Sequence, residues 1–441
     1  MSEIHPNLLD ERHGQFPSDH AASATTPTIS RRAIAAAAIG NGLEAYDFTL
    51  YSFFAATIGH LYFPASDPTT SLLLSFATFG AGFVMRPLGA VLIGNLADRR
   101  GRKSALSLTI ALMTAGTAVI ALTPTYASIG VIATVLMVLG RLLQGLSAGG
   151  EIGTASALLL ESASKGRRCY FVSWQTATQG AAALLGALSG LTLHALLPAD
   201  EVATWGWRLP FLMGLFIAPV GLYIRRHLPE TQIENHGTAL DGIREVVSGH
   251  WRTLLLGILM MTSSTTSVYV SMLYMPTYLV RTLHMPPITA YACTAVSGLT
   301  MLVLAPLFGR LADRLRRRKP LVIINCLISL VIGLPSAALI VSGPGLPVVL
   351  MCVVLSGTLM SMSAGAGPVL MMEAFPRKHR AAGMSMMYSF GVTIFGAFAP
   401  LAVTWLIGAT GSPMAPAFYQ LSALLITFAA LLLYPGHPDR A

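Results

Sequence analysis

Twelve apolar stretches of about 20 residues each, separated by short polar segments, limit this chain more than any other feature. They run near 33–59, 71–97, 104–123, 128–157, 170–196, 207–224, 253–280, 287–312, 320–341, 345–372, 381–407 and 416–434. One such run can be a buried core helix. Twelve exceed what a soluble core holds, and composition agrees: 54% of residues are hydrophobic and 11% charged, against roughly 45–50% and about 25% in soluble domains. The expected fold class is therefore an all-α polytopic membrane protein of twelve transmembrane helices in two six-helix halves.

The net charge of +9 raises nucleic acid as a partner, but the distribution of basic residues argues against it. With the N-terminal tail and alternate loops assigned to the cytoplasm, 24 of the 28 Lys and Arg residues lie on that side. Only Arg208 and Arg281 lie on the other, and Arg86 and Arg141 lie within spans. This asymmetry predicts both termini in the cytoplasm of a multi-pass cell-membrane protein. The bilayer is then the large partner. Residues 1–32 are polar and read as a disordered tail. Ser30-Arg31-Arg32 before an alanine run resembles a twin-arginine signal, but that apolar segment is too long and contains two acids, so the arginines read as a cytoplasmic anchor. Cys169, Cys293, Cys326 and Cys352 are scattered, without CxxC or histidine at ligand spacing; they read as packing residues, with no metal and no cofactor expected.

The chain repeats itself. GNLADRRGRK (Gly94 to Lys103) recurs as GRLADRLRRRK (Gly309 to Lys319), an offset of 215 residues, and ESASKGRR recurs as EAFPRKHR at an offset of 212. Six spans are thus duplicated. The expected organisation is a tail at 1–32, a first half at 33–225, a cytoplasmic linker at 226–252, a second half at 253–434 and a tail at 435–441. Two halves of like topology imply a central cavity and rocking motion about it.

These motifs carry a resemblance. GNLADRRGRK is similar to the loop signature of the major facilitator superfamily, and Arg141-Leu-Leu-Gln-Gly145 to the arginine motif of its fourth helix. GNGLEAYDF (Gly40 to Phe48), Met85-Arg-Pro-Leu-Gly89 and Trp205-Gly-Trp-Arg-Leu-Pro-Phe211 resemble the metabolite:proton symporters. Ser173-Trp-Gln-Thr-Ala-Thr-Gln179 and Thr262 to Tyr278 are most similar to the citrate and tricarballylate carriers. The resemblance covers residues 33 to 434. It implies a secondary transporter, not an enzyme, which takes up a di- or tricarboxylate (citrate or tricarballylate) with protons by alternating access and works as a monomer. Other readings stay open: symport of another organic acid or a zwitterionic osmolyte (2-oxoglutarate, an aromatic acid, betaine or proline), or a membrane sensor on the same fold. One departure is Arg316, which replaces the second loop's glycine, where the first loop has Gly101 for its turn.

The residues that carry chemistry are the polar ones inside spans, where an ionisable side chain costs about 3 kcal/mol on insertion scales. Glu44 and Asp47 are three apart and share a helix face with Asn41. Mutual repulsion fits one of them to carry a proton; the alternative is that one or both pair with Arg86 or a helix-end amide. The family pattern favours Asp47. Arg141, Gln144 and Glu151 share a broad side of the fourth span, where Arg141 serves a structural ion pair, proton coupling or both. Proton coupling is therefore assigned to Glu44, Asp47, Glu151 and Arg141. Substrate binding is assigned to Asn41, Arg86, Arg141, Gln144, Gln175, Gln179, Thr262, Thr265, Thr266, Tyr269 and Tyr274, because arginine and hydroxyl donors suit carboxylate oxygens. A cytoplasmic gate is assigned to Asp98, Arg99, Gly101, Arg102, Glu161, Arg168, Asp313, Arg314, Glu373 and Arg380. Gly145, Gly149 and Gly153 recur every four residues and predict close backbone approach.

Energetics favours coupling. Each negative charge moved inward against 100 mV costs about 2.3 kcal/mol, so a trianion costs roughly 7 kcal/mol. One co-transported proton cancels one charge, and a unit of pH gradient adds about 1.4 kcal/mol. GxxxxGK[ST] does not occur, so the energy source expected is an ion gradient, protons by resemblance.

Overall fold

The fold was obtained as a computed structural model, which describes residues 31–100, 102–149, 159–160, 163, 166–215, 239–315, 317–376 and 379–435. The elements used below are α1 (Arg31–Phe53), α2 (Ala55–Tyr62), α3 (Pro68–Arg100), α4 (Arg102–Leu122), α5 (Val131–Ala148) and α6 (Arg168–Leu196). The second half holds α7 (Ala239–Val268), α8 (Met275–Arg281), α9 (Pro287–Arg314), α10 (Lys319–Val341), α11 (Leu346–Met362), α12 (Ala366–Glu373), α13 (Arg380–Gly391), α14 (Ala399–Thr410) and α15 (Ala415–Leu433). No strand occurs among the described residues.

Nine of the described helical stretches are long and apolar enough to cross a membrane. The other three expected spans are α1 with its two acids, the shorter apolar helix Ser107–Leu122, and 207–224, described only to residue 215. A bilayer core offers no water to backbone polar groups, so spans of this composition close their hydrogen bonds internally as helices.

Helices in lipid associate through close packing rather than hydrophobic exclusion, which favours glycine at crossings. In the first half, α3 and α5 touch backbone to backbone. A Cβ at Gly145 would collide with the Gly82 carbonyl, and one at Gly149 with the Arg86 carbonyl. Gly153 lies outside the described residues. Between halves, α6 lies along α9: a Cβ on Gly180 would meet the Gly298 oxygen at 2.7 Å, and one on Gly298 the Gly180 oxygen at 2.6 Å.

Polar groups lock both ends. Asp67 caps α3, accepting from the Thr69 and Thr70 amides at 2.9 Å each; the Thr70 hydroxyl and these amides hold its carboxyl below the usual carboxylate range. At the same end Trp207 is buried against Tyr62. Arg208 Nη2 donates to Tyr62 Oη at 2.8 Å, and Tyr62 Oη donates to the Thr123 carbonyl at 2.7 Å. At the basic end, Asp313 accepts from the Cys169 and Tyr170 amides at 2.9 Å each, capping the first turn of α6 from across the halves. Glu373 binds Arg168 Nη1 at 2.8 Å and also pairs with Arg318.

Of the gate residues expected from sequence, Arg168, Asp313 and Glu373 come together. Arg314 is exposed and the second arginine on Glu373 is Arg318, because Asp313 is drawn toward α6 while Arg314 turns outward. Arg380 donates to the Phe375 carbonyl at 3.3 Å. Asp98 and Arg99 fall in the last turn of α3 and Arg102 opens α4; their side chains, with Gly101, Glu151 and Glu161, lie outside the described residues.

Candidate functional site

A cavity of about 370 Å³ lies between the halves. Its first-half wall comes from α1, α3 and α6 (Asn41, Glu44, Phe48, Arg86, Gln175, Gln179), and its second-half wall includes Thr265, Tyr269, Tyr274 and Tyr388. Arg86 and Glu44 are the charged residues among the described lining.

The position of Arg86 follows from local sequence. Pro87 follows it inside α3, and a proline in mid-helix leaves the carbonyl four residues earlier without its donor. That carbonyl belongs to Phe83, and Thr393 of the second half donates to it at 3.1 Å. The defect is satisfied across the halves, one turn from the arginine. Arg86 is 3% exposed. Its Nη2 donates to Glu44 Oε1 at 2.9 Å, and its Cζ lies 4.2 Å from the Phe83 ring centroid. Nε and Nη1 lack a well-aligned acceptor, and the Tyr388 hydroxyl lies beside Arg86 and Gln179. Tyr388 carried no signal in the sequence, being one tyrosine in an apolar span. Asn41 Nδ2 donates to Thr178 Oγ1 at 2.7 Å, which fixes the amide at the cavity edge.

Asp47 and Arg141 occupy a separate layer behind Phe48 and are not part of the cavity lining. Arg141 is fully buried, with its Cζ 4.4 Å from the Tyr51 centroid, 4.7 Å from Phe48 and 4.8 Å from Phe79. Desolvating a guanidinium costs several kcal/mol; three aromatic faces at about 1–2 kcal/mol each offset much of it. Arg141 Nη1 donates to Gln144 Oε1 at 2.6 Å, Gln144 Nε2 to Thr117 Oγ1 at 2.9 Å, and Thr117 Oγ1 to Asp47 Oδ2 at 2.7 Å. The cation reaches the acid through two neutral side chains.

Several sequence-based assignments are corrected by this arrangement. Glu44 and Asp47 share a face of α1 but are served by different arginines, Glu44 by direct contact and Asp47 by relay. Arg141 and Gln144, expected at the substrate, are off the cavity wall because aromatic rings cover them. Thr262 and Thr266 are also off the wall; Thr266 Oγ1 donates to the Phe395 carbonyl at 3.2 Å. Thr265 lines the cavity, yet its hydroxyl donates to its own helix at Met261 O, 2.9 Å away. Helical hydroxyls find backbone acceptors one turn back, which weakens a threonine-rich stretch as evidence of ligand donors. Thr404 donates to Tyr274 Oη at 3.2 Å.

A helical bundle with nine described stretches fit to cross a membrane, and a buried ion pair facing a cavity between its halves, has the build of a multi-pass membrane transporter. The model of the Major Facilitator Superfamily matches residues 37–324 and 257–441, and the chain belongs to that superfamily. It is 35% identical to the citrate-proton symporter of Klebsiella pneumoniae over 88% of this chain and 87% of that protein. It is 33% identical to the glycine betaine/proline/ectoine/pipecolic acid transporter of Dickeya dadantii over 90% and 81%. Among solved structures it is similar to a partially occluded inward-open form of the xylose transporter from E. coli, with TM-score 0.74, 17% identity and coverage of 93% and 99%. The family and these relatives are transporters, not enzymes.

Proposed function

We propose that the protein is an inner-membrane, proton-coupled importer of a di- or tricarboxylate, citrate or tricarballylate, with both termini cytoplasmic. The observation that carries this reading is Arg86: a buried guanidinium on the cavity wall with one arm on Glu44 and with Nε and Nη1 lacking a well-aligned acceptor. A carboxylate is the complementary ligand, since it takes two parallel hydrogen bonds from one guanidinium. The identity to a citrate-proton symporter supports the same choice.

Coupling follows from charge. Arg86 and Glu44 together are neutral, and a carboxylate arriving at Arg86 adds a negative charge to a low-dielectric cavity. Protonation of Glu44 removes one and releases the arginine arm to the substrate. Substrate and proton then bind with mutual assistance, as linkage requires. The remaining carboxylates of a tricarboxylate meet no second cation in the described lining, which favours a partly protonated form of the acid.

The test is uptake in proteoliposomes under an imposed inward proton gradient, with citrate, tricarballylate, 2-oxoglutarate, betaine and proline as the panel. Gradient-dependent accumulation of citrate or tricarballylate above the other three is expected. Betaine or proline carried in preference, with the acids ignored, would replace this reading by osmolyte symport. Orientation is tested with an impermeant thiol reagent, which is expected to reach a cysteine at Ser66 from outside and one at Ser248 only from inside.

A further inference from the structure

The relay from Arg141 to Asp47 has a direction set by chemistry. Guanidinium has donors and no acceptor, so Gln144 must present Oε1 to Arg141 and its NH2 to Thr117. Thr117 Oγ1 accepts that N–H, and its single hydrogen is left for Asp47 Oδ2. While Thr117 donates to it, Oδ2 holds no proton. The other oxygen, Oδ1, is buried with no hydrogen-bond partner. It faces Gly214 in helix 208–215, where an added Cβ would lie 3.1 Å from Oδ1. Asp47 is outside the cavity lining, whereas Glu44 is part of it.

We propose that Thr117 and Gln144 are positioning residues that reserve Oδ2 of Asp47, so that the proton is exchanged at Oδ1, the oxygen packed against Gly214 of helix 208–215. The step balances simply. A hydronium delivers its proton to Oδ1, leaving water and a neutral carboxyl; the reverse step returns it. Asp47 is then a second proton site, outside the cavity that Glu44 lines, and the two carboxylates communicate through the side chains between them. Among the described residues, the charged and titratable groups around the relay are Glu44, Tyr46 and Tyr51 of α1, Arg141 of α5, Arg86 of α3 and Tyr269 beyond α7.

The experiment compares Thr117→Val, Thr117→Ser and Gly214→Ala with the parent in proteoliposomes, using whichever acid the parent accumulates. A parent that ignores citrate defeats the substrate reading and leaves this test intact with the acid it does carry. Two quantities are read: the pH profile of gradient-driven uptake, and substrate counterflow, which needs a folded carrier but no net proton movement. Removing a hydrogen bond to an ionised carboxylate disfavours ionisation, so the Thr117→Val profile is expected to move to higher pH by about half a unit or more, and Thr117→Ser to restore it. Gly214→Ala is expected to slow gradient-driven uptake about fivefold or more while counterflow stays within about twofold. An unmoved profile in Thr117→Val overturns the proposal. So does a parallel loss of uptake and counterflow in all three variants, which would mark the network as structural only.

Discussion

Arg86 and Arg141 share one aromatic ring: the Phe48 centroid lies 5.0 Å from Cζ of the first and 4.7 Å from Cζ of the second. One guanidinium faces the cavity and the other is closed off behind it, so this ring is a direct physical link between the substrate wall and the Asp47 relay. Each cation on a ring face gains about 0.5–2 kcal/mol, and movement of either arginine changes what the other feels.

Phe48→Leu keeps an apolar filler and removes the shared face. Its expected effect is to flatten the dependence of the apparent KM on pH between 8 and 6, compared at matched concentrations of one ionised form of the substrate. A parental slope in this variant would show that the ring transmits nothing.

The two arginines are expected to fail differently. Arg86→Lys keeps the charge but loses the planar fork, so the KM for citrate rises about tenfold with a smaller change in maximal rate. Arg141→Lys, off the cavity wall, lowers the maximal rate of gradient-driven uptake and moves KM little. Initial-rate uptake kinetics on both variants separate the roles; a KM effect confined to Arg141→Lys reverses them.

Glu44→Gln removes the partner of a buried cation, which typically costs about 3–5 kcal/mol. A bound carboxylate supplies that partner again. The thermal shift produced by saturating citrate is therefore expected to be larger in Glu44→Gln than in the parent, while gradient-driven accumulation is lost. Equal thermal shifts in the two proteins would mean that the substrate does not reach Arg86.

Glu373 ties Arg168 to Arg318 at the basic end, close to the buried Cys169, whose amide is held by Asp313. Glu373→Gln weakens both ion pairs and leaves the cap in place. Cys169 is then expected to react faster with a small maleimide, with the site located by peptide mapping, and citrate is expected to change that rate in the variant. A parental labelling rate would show that Asp313 alone keeps this end closed.

Much of the architecture was legible in the sequence because it depends on patterns along one helix: apolar runs, the duplicated loop motifs, and the four-residue spacing that brings Gly145 and Gly149 onto α3. The Arg86–Glu44 pair was legible as one of two alternatives for Glu44. What the sequence hid depends on which helix stands opposite. Gln144 and Arg141 sit on the polar side of α5, and nothing in the chain order reveals that Phe48, Tyr51 and Phe79 close over them. Thr117 is one hydroxyl in an apolar span and becomes informative only beside Asp47. Arg318 was one of three consecutive arginines, and spacing gave no reason to choose it over Arg314.

The helix after Val268 widens into a single loose turn, Tyr269–Leu273, and the one after Gly391 does the same over Val392–Ala397. In the first, Tyr274 N reaches back to Tyr269 O at 3.0 Å; each is followed within a few residues by a proline, Pro276 or Pro400. The two turns lie against each other, with Gly396 packed on the Tyr269 ring. A turn with one residue too many resists bending less than the rods on either side of it. Mechanically, the pair forms a compliant joint at the cavity wall, with α8 as a lever of about 10 Å beyond it. A ligand pressing on Tyr269 would flex the far end of the second half through a few torsions, leaving the Gly180–Gly298 crossing as the fixed bearing.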